Sequence, residues 1–163
     1  MLLDLKDAFT LEGKVMEVSG EIDLTDLEFY GVCPFIHPVR VTGRVANQNM
    51  VVRFIYRAEF ECCRPCDRCL AETTKTLSYV FEHLLSTGDS GSELEDVVYV
   101  TDYRLELDPL VQEDILLELP TVFLCKPDCA GLCPVCGCDL NHESCGCSTE
   151  EHDSRLDALY DLL

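Results

Sequence analysis

"VRVTGRVANQNMVVRFIYRAEFECCRPCDRCL", residues 39–70, sets the architecture of the chain. In its first part Val39, Val41 and Val45 alternate with Arg40, Thr42 and Arg44, the period of two that a strand shows when one face meets a core. Asn47-Gln48-Asn49 is a turn signal. Alternation then resumes over 51–62, with Phe54, Tyr56, Ala58 and Phe60 on one face and Arg53, Ile55, Arg57, Glu59 and Glu61 on the other. A loop of two or four residues pairs even positions of the first strand with odd positions of the second. That register puts Arg40, Arg44, Arg53 and Arg57 on one face of one hairpin. Such a face is either a solvated one, as charged strand faces commonly are, or a basic surface for RNA.

Working outward, residues 73–85 carry Leu77, Tyr79, Phe81 and Leu85 on a period of two. The Cys66-Asp67-Arg68-Cys69 segment therefore sits at a tip between two strands. Residues 86–96 are small and acidic and read as a surface loop. Residues 97–107 form a further strand candidate. Asp108 then serves as helix N-cap, with Pro109 at the first helical position. The helix runs to about Leu119, with Leu110, Val111, Ile115 and Leu119 as its apolar side, and Pro120 ends it. Upstream, 12–30 reads as a strand followed by an irregular connection. At the far end, Leu156, Leu159, Tyr160 and Leu163 are spaced as a short amphipathic helix. The fold class is α+β: an antiparallel β-sheet or partly open barrel with one or two helices and a cysteine-rich, zinc-ribbon-like tail. Residues 1–120 form the body with the CxxC tip; residues 121–163 form a zinc-binding tail and closing helix packed on it.

Seven of the twelve cysteines lie between Cys125 and Cys147. A four-thiolate site uses cysteines in fours, so the tail needs outside ligands, and Cys66 and Cys69 supply them. Zinc takes four tetrahedral ligands, and a CxxC turn offers two sulfurs to one ion. Cys133-Pro134-Val135-Cys136-Gly137 fits that turn closely. Cys66-Asp67-Arg68-Cys69 has the spacing without the glycine, and Cys145-Gly146-Cys147 offers a tighter pair. The preferred partition is Cys66, Cys69, Cys125 and Cys129 around one ion, and Cys133, Cys136, Cys145 and Cys147 around another. A second partition joins Cys66 and Cys69 to Cys133 and Cys136. Cys138 is left over as a spare thiol or competing ligand, and His142 is an alternative ligand in the second site. Sites of four thiolates leave no position for water, so the zinc is structural.

The formal charge is −19, from 12 bases and 31 acids, which opposes non-specific contact with phosphate backbones. Residues 40–75 alone reverse the sign, with seven bases against four acids. No run is long and apolar enough for a membrane helix, and the N-terminus lacks the basic end and apolar run of a secretory signal. A cytoplasmic protein is expected, where clustered cysteines favour metal or catalysis over disulfides. Cys33, Cys62 and Cys63 read as buried thiols or bystanders. His37, His83 and His152 stand in no catalytic motif, and GxSxG, P-loop, GxGxxG and HExxH patterns are missing. The chain does not read as an enzyme, nor as a protein with a small-molecule substrate.

The order of CDRCL (66–70), a helix ending at Leu119-Pro120, Cys125 and Cys129, GLCPVCGCDLN (131–141), Cys145-x-Cys147 and SRLDALYDL (154–162) resembles the YceD family, the large ribosomal RNA subunit accumulation proteins, in its cysteine-rich Gram-positive form. The closing segment has Asp153-Ser154-Arg155 where that family usually carries Asp-Pro-Arg, and Cys138 falls where a non-cysteine residue is expected. The resemblance implies a non-enzymatic factor for accumulation of 23S ribosomal RNA and assembly of the large subunit. Its expected partners are the large-subunit precursor, ribosomal RNA and basic ribosomal proteins. Two competing functions are an acidic protein-interaction adaptor without RNA contact and a CxxC thiol redox protein.

Overall fold

The structure, a computed structural model, describes residues 1–88 and 97–147. Its strands and helices in chain order are β1 (Leu2–Asp4), α1 (Lys6–Thr10), β2 (Val15–Ile22), β3 (Val39–Gln48), β4 (Val51–Pro65), β5 (Glu72–Ser86), β6 (Val97–Tyr99), β7 (Arg104–Glu106) and α2 (Leu107–Glu118). The chain divides into two compact units: Met1–Arg64 with Thr74–Thr121, and Pro65–Thr73 with Val122–Leu163. The CxxC tip thus belongs with the cysteine-rich tail.

In the first unit the expected β-hairpin is present in the expected register. Val41 faces Ala58, Val45 faces Phe54 and Gln48 faces Val51, so only Asn49 and Met50 make the turn. Both have positive φ, 52° and 63°, as a two-residue hairpin loop that matches strand twist requires. The turn lies later than the Asn47 signal suggests. Asn47 is instead buried at the end of β3, where its side-chain amide donates to the Ala8 carbonyl at 2.8 Å. The even positions of β4, from Val52 through Phe60, are buried with Val39, Val41 and Val45 of β3. Each valine or phenylalanine among them, taken fully out of water, contributes about 1.5–3 kcal/mol.

The larger sheet is open, in the order β2-β3-β4-β5-β6, and is mixed rather than purely antiparallel: β6 runs parallel to β5, with Leu85 opposite Val98. The single strand expected over 97–107 is two short ones. The chain turns at Asp102 and Tyr103, both at positive φ, and β7 then pairs with β1 instead. The helix after it begins at Leu107, with Glu106 rather than Asp108 at the N-cap and no side-chain cap bond. The Asp108 carboxylate accepts from the Met1 amino group. α2 buries Leu107, Val111 and Ile115, and Leu119 just past its end is buried too.

One acid lies on that buried side. Asp114 accepts from the Tyr56 hydroxyl and bonds His83 Nε2 at 2.6 Å, so the carboxylate has two partners in the core. Burial, then the Asp114 contact, raises the Tyr56 phenol well above its usual range. His83, a bystander in the sequence reading, has this partner on an element 31 positions away, where no local motif shows it. α1 was not expected: at one turn, it is too short for helical periodicity to register. Part of the acidic 86–96 loop, His152 and the closing amphipathic segment lie outside the described residues.

Candidate metal centres

The second unit is built on two turns of the same design. In the first, Leu70 N–H donates to the Cys66 carbonyl at 2.9 Å, and Cys66 N–H to the Ala71 carbonyl at 2.8 Å. In the second, Gly137 N–H donates to the Cys133 carbonyl and Cys133 N–H to the Cys138 carbonyl, both at 2.8 Å. Each turn needs a left-handed residue after its second cysteine: Gly137 at φ 75°, and Leu70 at φ 60°. Leucine does glycine's task in the first turn, which is why the missing glycine did not alter the geometry. The Leu132–Asp139 bridge closes the second turn into a small hairpin.

Two further segments complete the sets. Asp67 and Phe123 are joined twice, Asp67 N–H to the Phe123 carbonyl at 2.8 Å and Phe123 N–H to the Asp67 carboxylate at 2.6 Å. This latch delivers Cys125 and Cys129 to Cys66 and Cys69. Leu132 N–H donates to the Arg68 carbonyl at 3.0 Å, and Gly131, at φ 79°, passes so close that an added Cβ would lie 3.0 Å from the same oxygen. The second hairpin is thereby held beside the first turn.

The result is two quartets, Cys66, Cys69, Cys125 and Cys129, and Cys133, Cys136, Cys145 and Cys147; within each, the four sulfurs lie within 4.8 Å of one another. The preferred sequence partition therefore matches the groups that the fold assembles, and the alternative pairing of Cys66 and Cys69 with Cys133 and Cys136 does not. The distances suit a metal. Tetrahedral bonds of ~2.3 Å put neighbouring sulfurs about 3.8 Å apart. Cys66 and Cys129 are 3.8 Å apart, and Cys69 and Cys125 3.6 Å. A disulfide needs about 2.05 Å, and all twelve cysteines are free. Two groups of four thiols able to hold metal ions are present.

The thiols are electrostatically unequal. Burial raises Cys66, but N–H donors of Cys69, Cys125 and Arg68 outweigh it and bring its pKa down to about 6. Backbone donors of Cys136 and Val135 bring Cys133 to about 6 as well. Burial and the Cys129 thiol push Cys125 up to about 12. Contact with Cys136, then burial, does the same to Cys147. Each quartet thus offers one ready thiolate and at least one thiol whose proton a cation must displace. Sequence reasoning missed the supporting residues. Asn141 donates its amide to Cys129 Sγ at 3.4 Å, and Arg68 donates to the Cys129 carbonyl at 2.8 Å. Burial raises the Cys129 thiol, while Asn141 and the Gly131 backbone bring it below its usual value. The only hint in the sequence is that Asn141 closes the GLCPVCGCDLN run.

Comparison with known proteins bears on the same segment. Residues 55–163, which include all eight thiols, match the family described as Large ribosomal RNA subunit accumulation protein YceD. The chain belongs to the YceD family. It is 33% identical over 136 residues to the uncharacterized protein YlbN of Bacillus subtilis, covering 78% of this chain and 76% of that one. It is 34% identical over 125 residues to an uncharacterized protein of Mycobacterium tuberculosis, covering 77% of this chain and 56% of the relative. The chain thus spans little more than half the length of the mycobacterial relatives it matches. No solved structure matches it.

The hairpin of this YceD protein carries Arg40, Arg44, Arg53 and Arg57 on one exposed face, as the register requires. Acids interleave with them. Glu17 and Glu21 of β2 stand opposite Arg44 and Arg40, Glu59 stands opposite Arg40, and Arg53 pairs with Glu82 of β5 at 2.7 Å. Residues 40–75 are basic in sequence, but pairing with β2 and β5 mixes the charge in space. Of the remaining thiols, Cys62 is buried, Cys63 half-buried and Cys33 exposed. His142 sits within reach of Asp139, 3.7 Å away, and in neither quartet. Among the described residues no helix is long and apolar enough to cross a membrane.

Proposed function

We propose that this protein is a cytoplasmic, non-enzymatic factor holding two structural zinc ions, which supports accumulation of 23S ribosomal RNA and assembly of the large ribosomal subunit. What carries the reading is the pair of closed thiol quartets inside the segment that matches the YceD family. Four thiolates satisfy tetrahedral zinc and leave it no position for water or substrate, the mark of a structural site. The CPVCG turn favours zinc over an iron–sulfur cluster, whose protein would be coloured. A thiol redox protein would need a free, exposed CxxC pair, whereas Cys66 and Cys69 are buried among two further thiols.

The partner is the large-subunit precursor. The mixed charge around Arg40, Arg44, Arg53 and Arg57, with a total of −19, favours contact with a basic ribosomal protein surface over contact with RNA phosphates. Cells lacking the protein should show a lowered ratio of 23S to 16S ribosomal RNA. The full chain should restore the ratio, and a Cys66→Ser, Cys136→Ser double variant should not. Purified without chelators, the protein should contain two zinc ions. An unchanged ratio would refute the ribosomal role, and metal-free protein with freely titrating thiols would favour the redox reading. Replacing Arg44 and Arg53 by glutamine should leave precursor association and its salt slope nearly unchanged; a fall of about one unit of slope per lost phosphate contact would restore the arginine face as an RNA site.

A further inference from the structure

We propose that the second centre has five working ligands, with Cys138 and Cys147 interchangeable in its fourth position. The proposal rests on the reading that the quartets bind zinc. Two independent observations carry it. The first is proximity: the Cys138 thiol lies close enough to those of Cys136 and Cys145 to interact with both, as the Cys147 thiol does, while standing outside the four sulfurs that lie within 4.8 Å of one another. Both candidates therefore approach the pair that any ion in this centre must share. The second is the comparison of the two turns. Cys138 holds the position that Ala71 holds in the first turn, each accepting the bond from the first cysteine's N–H. An alanine serves the fold there, so the backbone geometry gives no reason for a thiol at 138. The thiol is surplus to the turn and lies beside two of the ligands.

The exchange is a ligand substitution without redox change. Cys138 loses its proton and bonds the ion, while Cys147 leaves and takes a proton up. The number of thiolates and the charge at the ion are unchanged. What changes is the tether. With Cys147 bound, the ion holds the end of the centre at both 145 and 147; with Cys138 bound, it holds that end only at 145 and releases residue 147. The first quartet has no such freedom. Three of its four ligands are buried, and the side chain that bonds its sulfur, Asn141, is an amide that donates to sulfur and does not replace it. The second centre, with Cys136 exposed and Cys145 and Cys147 half-buried, is the exchangeable one.

The test counts metal in the purified full chain and in Cys138→Ala, Cys147→Ser and the double variant. Cobalt(II) substitution reports the number of sulfurs at each ion. Wild type and both single variants should hold two ions, each with a four-sulfur spectrum, and the double variant should hold one. Loss of an ion in Cys147→Ser alone, or a three-sulfur spectrum there, would overturn the exchange. Two ions in the double variant would overturn it as well, because neither thiol would then be needed. Wild-type protein with no ion would instead refute the zinc reading beneath it, an outcome distinct from the others.

Discussion

The two turns share a backbone and a pair of cysteines and differ in what surrounds them. The first, Cys66–Ala71, joins two 15-residue strands, and its partners come from 56 and 63 positions further along the chain. The second, Cys133–Cys138, is a local hairpin whose partners follow within a few residues. One has both cysteines buried, carries leucine in the left-handed position and meets a partner thiol, Cys129, that accepts from an amide; the other is more exposed, carries glycine and has a thiol to spare. The same chelating geometry can thus serve a long-range clip and a local knot. The difference between them lies in surroundings, not in the ligands.

The sharpest way to break this comparison is to remove one ligand from each. Cys66→Ser should lose one ion and loosen both 66–71 and 122–129, because a lost metal releases every segment it joined. Cys136→Ser should lose one ion and loosen only 131–147. Hydrogen exchange with metal analysis reads both outcomes; equal spread of the damage would show that the centres form one cooperative unit.

Acidification should remove both ions. Cys66 and Cys133 have pKa values depressed to about 6, so each favours the folded thiolate above the usual thiol value, and that contribution is lost as pH falls through 6. Protons also compete directly for the ligands. Metal retention should therefore hold at pH 8 and fail in parallel at both centres below about pH 6, followed with a chromogenic chelator. At pH 7.5 each ion should displace no more than about three protons, since one thiol per quartet is already ionised.

Asn141→Ala tests the asymmetry more gently. Loss of the donor to Cys129 should weaken metal at the first quartet by about 10–100-fold and leave the second within about twofold, read by competition with a chelator. The smallest effect concerns the left-handed position. Leu70 is 66% exposed, so Leu70→Gly loses little packing while relieving a φ that costs a non-glycine residue about 1 kcal/mol. Denaturation midpoints should rise slightly for Leu70→Gly and fall for Gly137→Leu.

Much of this was legible in the sequence because strand alternation and cysteine spacing are local signals. The Val39–Phe60 hairpin follows from alternation alone, and the eight thiols sort into fours by chelating pairs and proximity along the chain. What was not legible depends on long-range partners. The parallel placement of β6, the Asp114 bonds to Tyr56 and His83, and the glutamates of β2 and β5 among the hairpin arginines all come from elements remote in sequence. Asp108 illustrates the reverse error: a locally good N-cap, it was displaced because β7 pairs with β1 and runs straight into the helix.

The 56-residue separation between Cys69 and Cys125 has a consequence in time. A ribosome adding about 5–20 residues per second needs roughly 3–11 s to pass from the first thiol to its partner. Throughout that interval the nascent chain displays two of four ligands, enough to capture an ion loosely or to be oxidised, and too few to close the site. The second centre, compact in sequence, finishes within a few seconds of its first cysteine emerging. Synthesis therefore imposes its own order on the protein: the clip's first pair of thiols waits several times longer for its partners than the hairpin's pair does, and stands open to oxidation for the whole of that wait.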